Sequence, residues 1–145
     1  MTLLDTSAVL TLLWGESGDD EVAELLRGGD CAIPAACLGE VVDKLIRCDD
    51  NPPATVAEKL APLLEEVVSV RAVDSTAGWR AGELRAQHYD RGKAALSLVD
   101  CLLLASAGPD DRIATSDEPL ARVALRIGID VIPLPDSNGR RPSDS

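Results

Sequence analysis

Short, continuous apolar runs alternate along this chain with longer stretches in which apolar residues recur every three or four positions. The first pattern suits a strand buried on both faces, the second a helix with one face turned inward. Thr2-Leu3-Leu4 reads as a strand, Asp5-Thr6-Ser7 as a polar turn, and Ala8 to Trp14 as a helix stopped at Gly15, with Thr6 or Ser7 as its cap. Asp19 to Arg27 predicts an exposed amphipathic helix ended by Gly28-Gly29, and Cys31 to Pro34 a second strand. From Ala35 to about Arg47 a helix carries Leu38, Val41, Val42, Leu45 and Ile46 on one face. Beyond the turn at Asp49 to Pro53 come a helix from Ala54 to Glu66, a strand from Val67 to Val70, and a polar helix from Ser75 to Tyr89 that ends near Gly92. Leu96 to Ala105 is a helix with almost no polar side, closed by Gly108-Pro109. Arg112 to Ala114 is a strand, a helix capped by Ser116 or Asp117 runs to Arg126, and Ile129 to Ile132 is the last strand. One domain therefore spans residues 1–133, and the tail over 134–145, rich in Pro, Ser, Asp and Arg, is expected to be disordered.

Strands alternating with helices predict an α/β/α sandwich on a short parallel sheet. Ligands in such folds bind at the carboxyl ends of the strands. Asp5 and Asp117 both follow strands directly, so the fold puts them on that edge, although Asp5 read alone is equally a turn residue. Asp100 has two readings as well. Ser97-x-x-Asp100 fits a capping box, with the acid answering free amides at the helix start, while a lone carboxylate on so apolar a helix also suits a metal ligand. Glu40 falls opposite the apolar face of its helix, where Lys44 offers an ordinary i,i+4 ion pair. His88, the sole histidine, sits between Gln87 and Tyr89 and reads as a surface residue.

Charge and composition narrow the chemistry. A formal net charge of −11 opposes a broad polyanion-binding face. The exception is local: Arg71, Arg80, Arg85, Arg91 and Lys93 outnumber Asp74, Glu83 and Asp90 between them. With no Phe and one Tyr, the chain offers no aromatic platform for stacking bases. Four cysteines without a C-x-x-C pair, and one histidine to join them, argue against zinc. The chain shows no secretory leader and no apolar run of membrane-spanning length, so reduced cysteines in the cytoplasm are expected.

Should Asp5, Glu40, Asp100 and Asp117 converge, mutual repulsion would raise their pKa values, and a hard divalent cation would relieve it. The expected chemistry is phosphodiester hydrolysis at such an ion. Leu4-Asp5-Thr6-Ser7, Glu40 in the helix after Ile33-Pro34, Leu96-Ser97-Leu98-Val99-Asp100 with Leu104-Ala105, and Ala114-Thr115-Ser116-Asp117 together resemble the ordered acidic motifs of PIN-domain ribonucleases. Order, spacing and length are similar to the VapC-type toxins of bacterial toxin–antitoxin pairs. The resemblance implies a PIN-like fold and a magnesium- or manganese-dependent endoribonuclease. Asp5 and Asp100 would be metal ligands, with Glu40 and Asp117 ligating directly or through water. Thr6, Thr115 and Ser116 would orient water or phosphate. It also implies a homodimer restrained by an antitoxin protein, with Leu13 and Trp14 either in the antitoxin groove or in the core. Arg85, Arg91 and Lys93 are the candidate RNA contacts. Two alternatives stand beside this: a PIN-like binding module without turnover, and a magnesium-binding phosphoacceptor domain. The second needs paired acids after the first strand and a lysine after the last, where this chain has Leu3-Leu4 and Pro133.

Overall fold

The computed structural model describes residues 1–143. Five strands are found there: β1 (Thr2–Leu4), β2 (Cys31–Pro34), β3 (Val68–Arg71), β4 (Arg112–Thr115) and β5 (Asp130–Pro133). They pair in the order β3-β2-β1-β4-β5, and every pairing is parallel. Seven helices flank them: α1 (Thr6–Trp14), α2 (Asp19–Gly28), α3 (Ala35–Arg47), α4 (Pro53–Glu66), α5 (Ser75–His88), α6 (Leu98–Ser106) and α7 (Glu118–Arg126). This is the α/β/α sandwich that the alternation of patterns predicts.

The chain lays down β1, β2 and β3 in one direction, then returns to place β4 on the other side of β1. The order reverses between β1 and β4, the switch point at whose carboxyl edge ligands bind in open α/β sheets, and Asp5 and Asp117 follow those two strands. The strands can be this apolar because helices cover both faces: Leu3, Leu4, Ile113 and Ala114 are fully buried. Leu103 and Leu104 of α6 and Val41 and Leu45 of α3 join the same aliphatic core.

Several predicted ends move. α1 begins at Thr6 because Asp5, rather than Thr6 or Ser7, is its N-cap. The Asp5 backbone is extended and its Oδ1 accepts from the Thr6 amide at 2.8 Å, while the Ser7 hydroxyl is spent on Asp5 itself. α5 stops at His88, where Tyr89 turns extended and Asp90 pairs with Ala94 across a tight loop. Beyond residue 133, Leu134 is buried and Arg141 forms a two-pronged contact with Glu21 of α2. Residues 144 and 145 of the tail lie outside the described residues. No helix among the described residues is long and apolar enough to cross a membrane.

Candidate active site

Three helices begin at the carboxyl edge with an acid in their first turn or cap. Asp5 caps α1, Asp117 caps α7 through a 2.9 Å bond from the Leu120 amide, and Asp100 occupies the third position of α6. The capping box of α6 is complete: Ser97 Oγ accepts from the Asp100 amide at 3.0 Å, and Asp100 Oδ2 accepts from the Ser97 amide at 2.9 Å. These contacts spend one oxygen each of Asp100 and Asp117. Their other oxygens, Oδ1 and Oδ2 respectively, have no hydrogen bond from the described residues.

Asp5 is the buried member. Its Oδ2 accepts from the Thr115 hydroxyl at 2.7 Å and from the Ser7 hydroxyl at 3.0 Å, so β4 and α1 hold it from two sides. The Asp117 amide in turn donates to Thr115 Oγ1 at 3.0 Å, which links the two strand-end acids through one hydroxyl. Burial pushes the Asp5 carboxyl up to about 6, the hydroxyl bonds oppose the shift, and the charges of Asp100 and Asp117 add to it. Burial also raises Asp100, helped by Asp117 and Glu40 and opposed by the Ser97 bonds. The Cys37 thiol lies under the cluster and is held well above its usual range by burial, then by Asp5 and Glu40.

Asp100 and Asp117 thus act on Asp5, and Asp117 and Glu40 on Asp100, although residues 5 to 117 separate the four in sequence. Glu40 is half-buried, and its expected ion pair with Lys44 is absent from the ion pairs of the described residues. Among those residues no three His, Cys, Asp or Glu side chains form a ready-made metal cluster. The donor set nonetheless fits a hard cation. Its donors are all oxygens, two acids keep an unused one, and the charges acting on Asp5 are negative. Asp5, Asp100, Asp117 and Glu40 are the residues that would hold it.

The sequence of residues 2–126 matches the family model for the PIN domain. The chain belongs to the PIN-domain family. No curated protein matches the sequence. Solved structures share its fold. VapBC2 from Rickettsia felis, bound to a promoter DNA fragment, aligns with a TM-score of 0.67 at 15% identity, covering 90% of this chain and 96% of its own. FitAcB from Neisseria gonorrhoeae gives 0.62 at 18%, covering 91% and 96%. VapC20 from Mycobacterium tuberculosis, described as a sarcin–ricin-loop-cleaving toxin, gives 0.58 at 22%, covering 89% and 85%.

The accessory positions in this PIN domain have distinct surroundings. Thr6 Oγ1 donates to the Cys37 carbonyl at 3.4 Å, tying α1 to α3, and the Ser116 amide lies 3.5 Å from Ser7 Oγ. Trp14 is 40% exposed, with Nε1 donating to Asp49 at 2.7 Å, so it is not a core residue. Arg85 lies over the Tyr89 ring at 4.5 Å and donates to the Leu96 carbonyl, bracing the entry to α6. Arg91 is exposed, and Lys93 lines a cavity together with Arg122 and Arg126 of α7. Those two arginines are not among the candidate RNA contacts named from the sequence, although their i,i+4 spacing puts both on one helix face.

Proposed function

We propose that this PIN domain is a divalent-metal-dependent endoribonuclease, the toxin of a toxin–antitoxin pair. The observation that carries the reading is the buried carboxylate of Asp5 at the switch point, with Asp100 and Asp117 adding negative charge and only hydroxyl hydrogen bonds opposing it among the influences on its ionisation. Such an arrangement costs free energy in the bare protein and becomes favourable when a cation binds. Membership of the PIN family supports the nuclease reading, and the likeness of the fold to VapBC2, FitAcB and the VapC20 toxin supports an antitoxin partner and a toxin role.

When bound, a magnesium or manganese ion would neutralise the phosphodiester at its transition state and activate a water. The protein's share is placement. Thr115 and Ser7 fix the Asp5 carboxylate, and the Ser97 box fixes Asp100 at the start of α6. Glu40 and Asp117 would supply further oxygens, with Ser116 beside Ser7 and Thr6 tying α1 to α3. In the overall reaction water adds to phosphorus, the ester P–O bond breaks, and the leaving oxygen takes a proton. A homodimer, an acid-covering antitoxin segment bearing arginine, and a cytoplasmic setting belong to the same reading.

Cleavage of RNA by the purified protein in magnesium, manganese or EDTA tests it, alongside Asp5→Asn and Asp100→Asn variants checked for folding. Metal-dependent cleavage lost in both variants is expected. Equal cleavage by wild type and variants refutes the assignment. RNA binding without any cleavage would favour a PIN-like binding module.

A further inference from the structure

Three cations that the acid cluster does not use line a single cavity of about 280 Å³. One wall is the end of α5 and the loop after it, with His88, Asp90 and Lys93; the other is α7, with Arg122 and Arg126. Lys93, Arg122 and Arg126 meet one carboxylate there, in a chain of net charge −11. That carboxylate, Asp90, already accepts the loop amides of Gly92 and Lys93 on its Oδ1, at 2.9 and 3.2 Å. Arg122 is braced, donating from Nη2 to Glu118 at 3.3 Å and from Nη1 to the Lys93 carbonyl at 3.2 Å. Lys93 and Arg126 are exposed, and their side chains make no hydrogen bond or ion pair among the described residues.

The fold's own energetics account for only part of this grouping. A helix C-terminus favours Arg126, and the i,i+4 pair with Glu118 favours Arg122, but the two arginines are themselves a like-charge pair at i,i+4, and the Lys93 side chain on the facing wall makes no ion pair among the described residues. The position is informative. α7 starts at Asp117, and the loop that carries Lys93 leads into the Ser97 cap of Asp100. At ~1.5 Å of rise per residue, Arg122 and Arg126 stand ~7 and ~13 Å along the helix from Asp117, within reach of a few nucleotides. An acidic peptide would satisfy the cations but has no reason to continue toward the acids. A nucleic-acid strand whose scissile phosphate is neutralised at a cation there does both.

We propose that this cavity binds the phosphodiester backbone of single-stranded RNA as it leaves the acid cluster, with Lys93, Arg122 and Arg126 as phosphate contacts. The inference rests on the nuclease reading and adds the path of the strand. Arg122 is the braced contact; Arg126 and Lys93 are the adjustable ones.

The test is binding of an eight-nucleotide single-stranded RNA to the full chain in EDTA, by fluorescence anisotropy between 50 and 200 mM KCl. Each neutralised phosphate contributes ~0.7 to the slope of log affinity against log salt for a single strand. Arg126→Gln and Lys93→Gln are each expected to lower that slope by about 0.7, so that affinity falls about 2.6-fold less across this salt range. Arg126→Lys should restore the slope. Arg27→Gln, which removes the same charge from α2, should leave it unchanged. The proposal is overturned if both cavity variants keep the wild-type slope, if Arg27→Gln lowers it equally, or if wild type does not bind. It is also overturned if inorganic phosphate or a polyglutamate peptide competes as well as the RNA at equal charge. Magnesium-dependent cleavage by wild type, scored separately, tells failure of the cavity from failure of the nuclease reading.

Discussion

Asp5→Asn should stabilise the metal-free protein at neutral pH while weakening its response to metal. The Asp5 carboxyl rises from 3.8 to about 6 on folding, so its burial leaves the folded state most favoured when the group is protonated. Below 3.8 there is no penalty; stability is lost as pH climbs from there through about 6, and the full cost applies above. At 1.36 kcal/mol per pKa unit the full cost is ~3 kcal/mol. Asparagine removes it but spoils part of the hydrogen bonding. Its Oδ1 can still accept from Thr6, whereas its NH2 replaces the oxygen that accepts from Ser7 and Thr115. Both hydroxyls must turn to accept instead, at a cost of ~1 kcal/mol, leaving a net gain of ~1–2 kcal/mol at pH 7.5.

The pH dependence is the sharper quantity, because the hydrogen-bond cost cancels from it. Between pH 5.0 and 7.5 the two pKa values predict that the stability difference, variant minus wild type, grows by ~1 kcal/mol. Urea titrations in EDTA at those two pH values measure it. Added magnesium should then raise the wild-type midpoint and move the variant less, since a ligand stabilises only the state that binds it. A pH-independent difference, or an Asn variant less stable than wild type at pH 7.5 in EDTA, would show that the Asp5 charge is compensated and sink the reasoning.

Three further outcomes follow from other parts of the structure. Ser97→Ala removes the α6 cap and should cost ~1 kcal/mol in urea titrations, with a loss of metal-dependent cleavage that Ser97→Thr restores. Leu3→Ala, in the fully buried central strand, should cost ~2–5 kcal/mol by the same method. Asp111 is pushed up by burial, but the bonds from Arg71 and the Gly108 amide win and hold its carboxyl below the usual range. Its contribution is therefore present above 3.8 and lost as pH falls through the lower folded value, so the stability gap to Asp111→Asn should shrink on acidification.

The central strands were legible in the sequence because β1, β2 and most of β4 are buried on both faces, and a run such as Thr2-Leu3-Leu4 has few other places to go. Their order was legible only as an expectation of a parallel sheet; which acids share an edge follows from the return of β4 to the side of β1. Local rules could not choose the α1 cap, because Asp5, Thr6 and Ser7 are all good capping residues. The choice is tertiary: the Thr115 hydroxyl, a hundred and more positions away, holds the Asp5 carboxylate in place. The helical wheel misplaced Glu40 for a related reason. α3 packs against both α1 and α6, so more of its circumference is covered than one apolar stripe implies.

Asp100 shows why the modest and the ambitious reading of a residue need not compete. The capping box is fully formed, as local sequence alone suggests, and the same two bonds hold the carboxylate at the helix start with its second oxygen free of hydrogen bonds from the described residues. Asp117 repeats the device on α7 and Asp5 on α1. In each case one oxygen answers the amides that a helix leaves unpaired, and the dipole of that helix favours the negative charge. Helix starts are therefore a low-cost way to gather several carboxylates at one sheet edge. Sequence rules for caps find such residues readily; only the strand order shows that Asp5 and Asp117 share a sheet edge, and only the fold brings Asp100 within electrostatic reach of both.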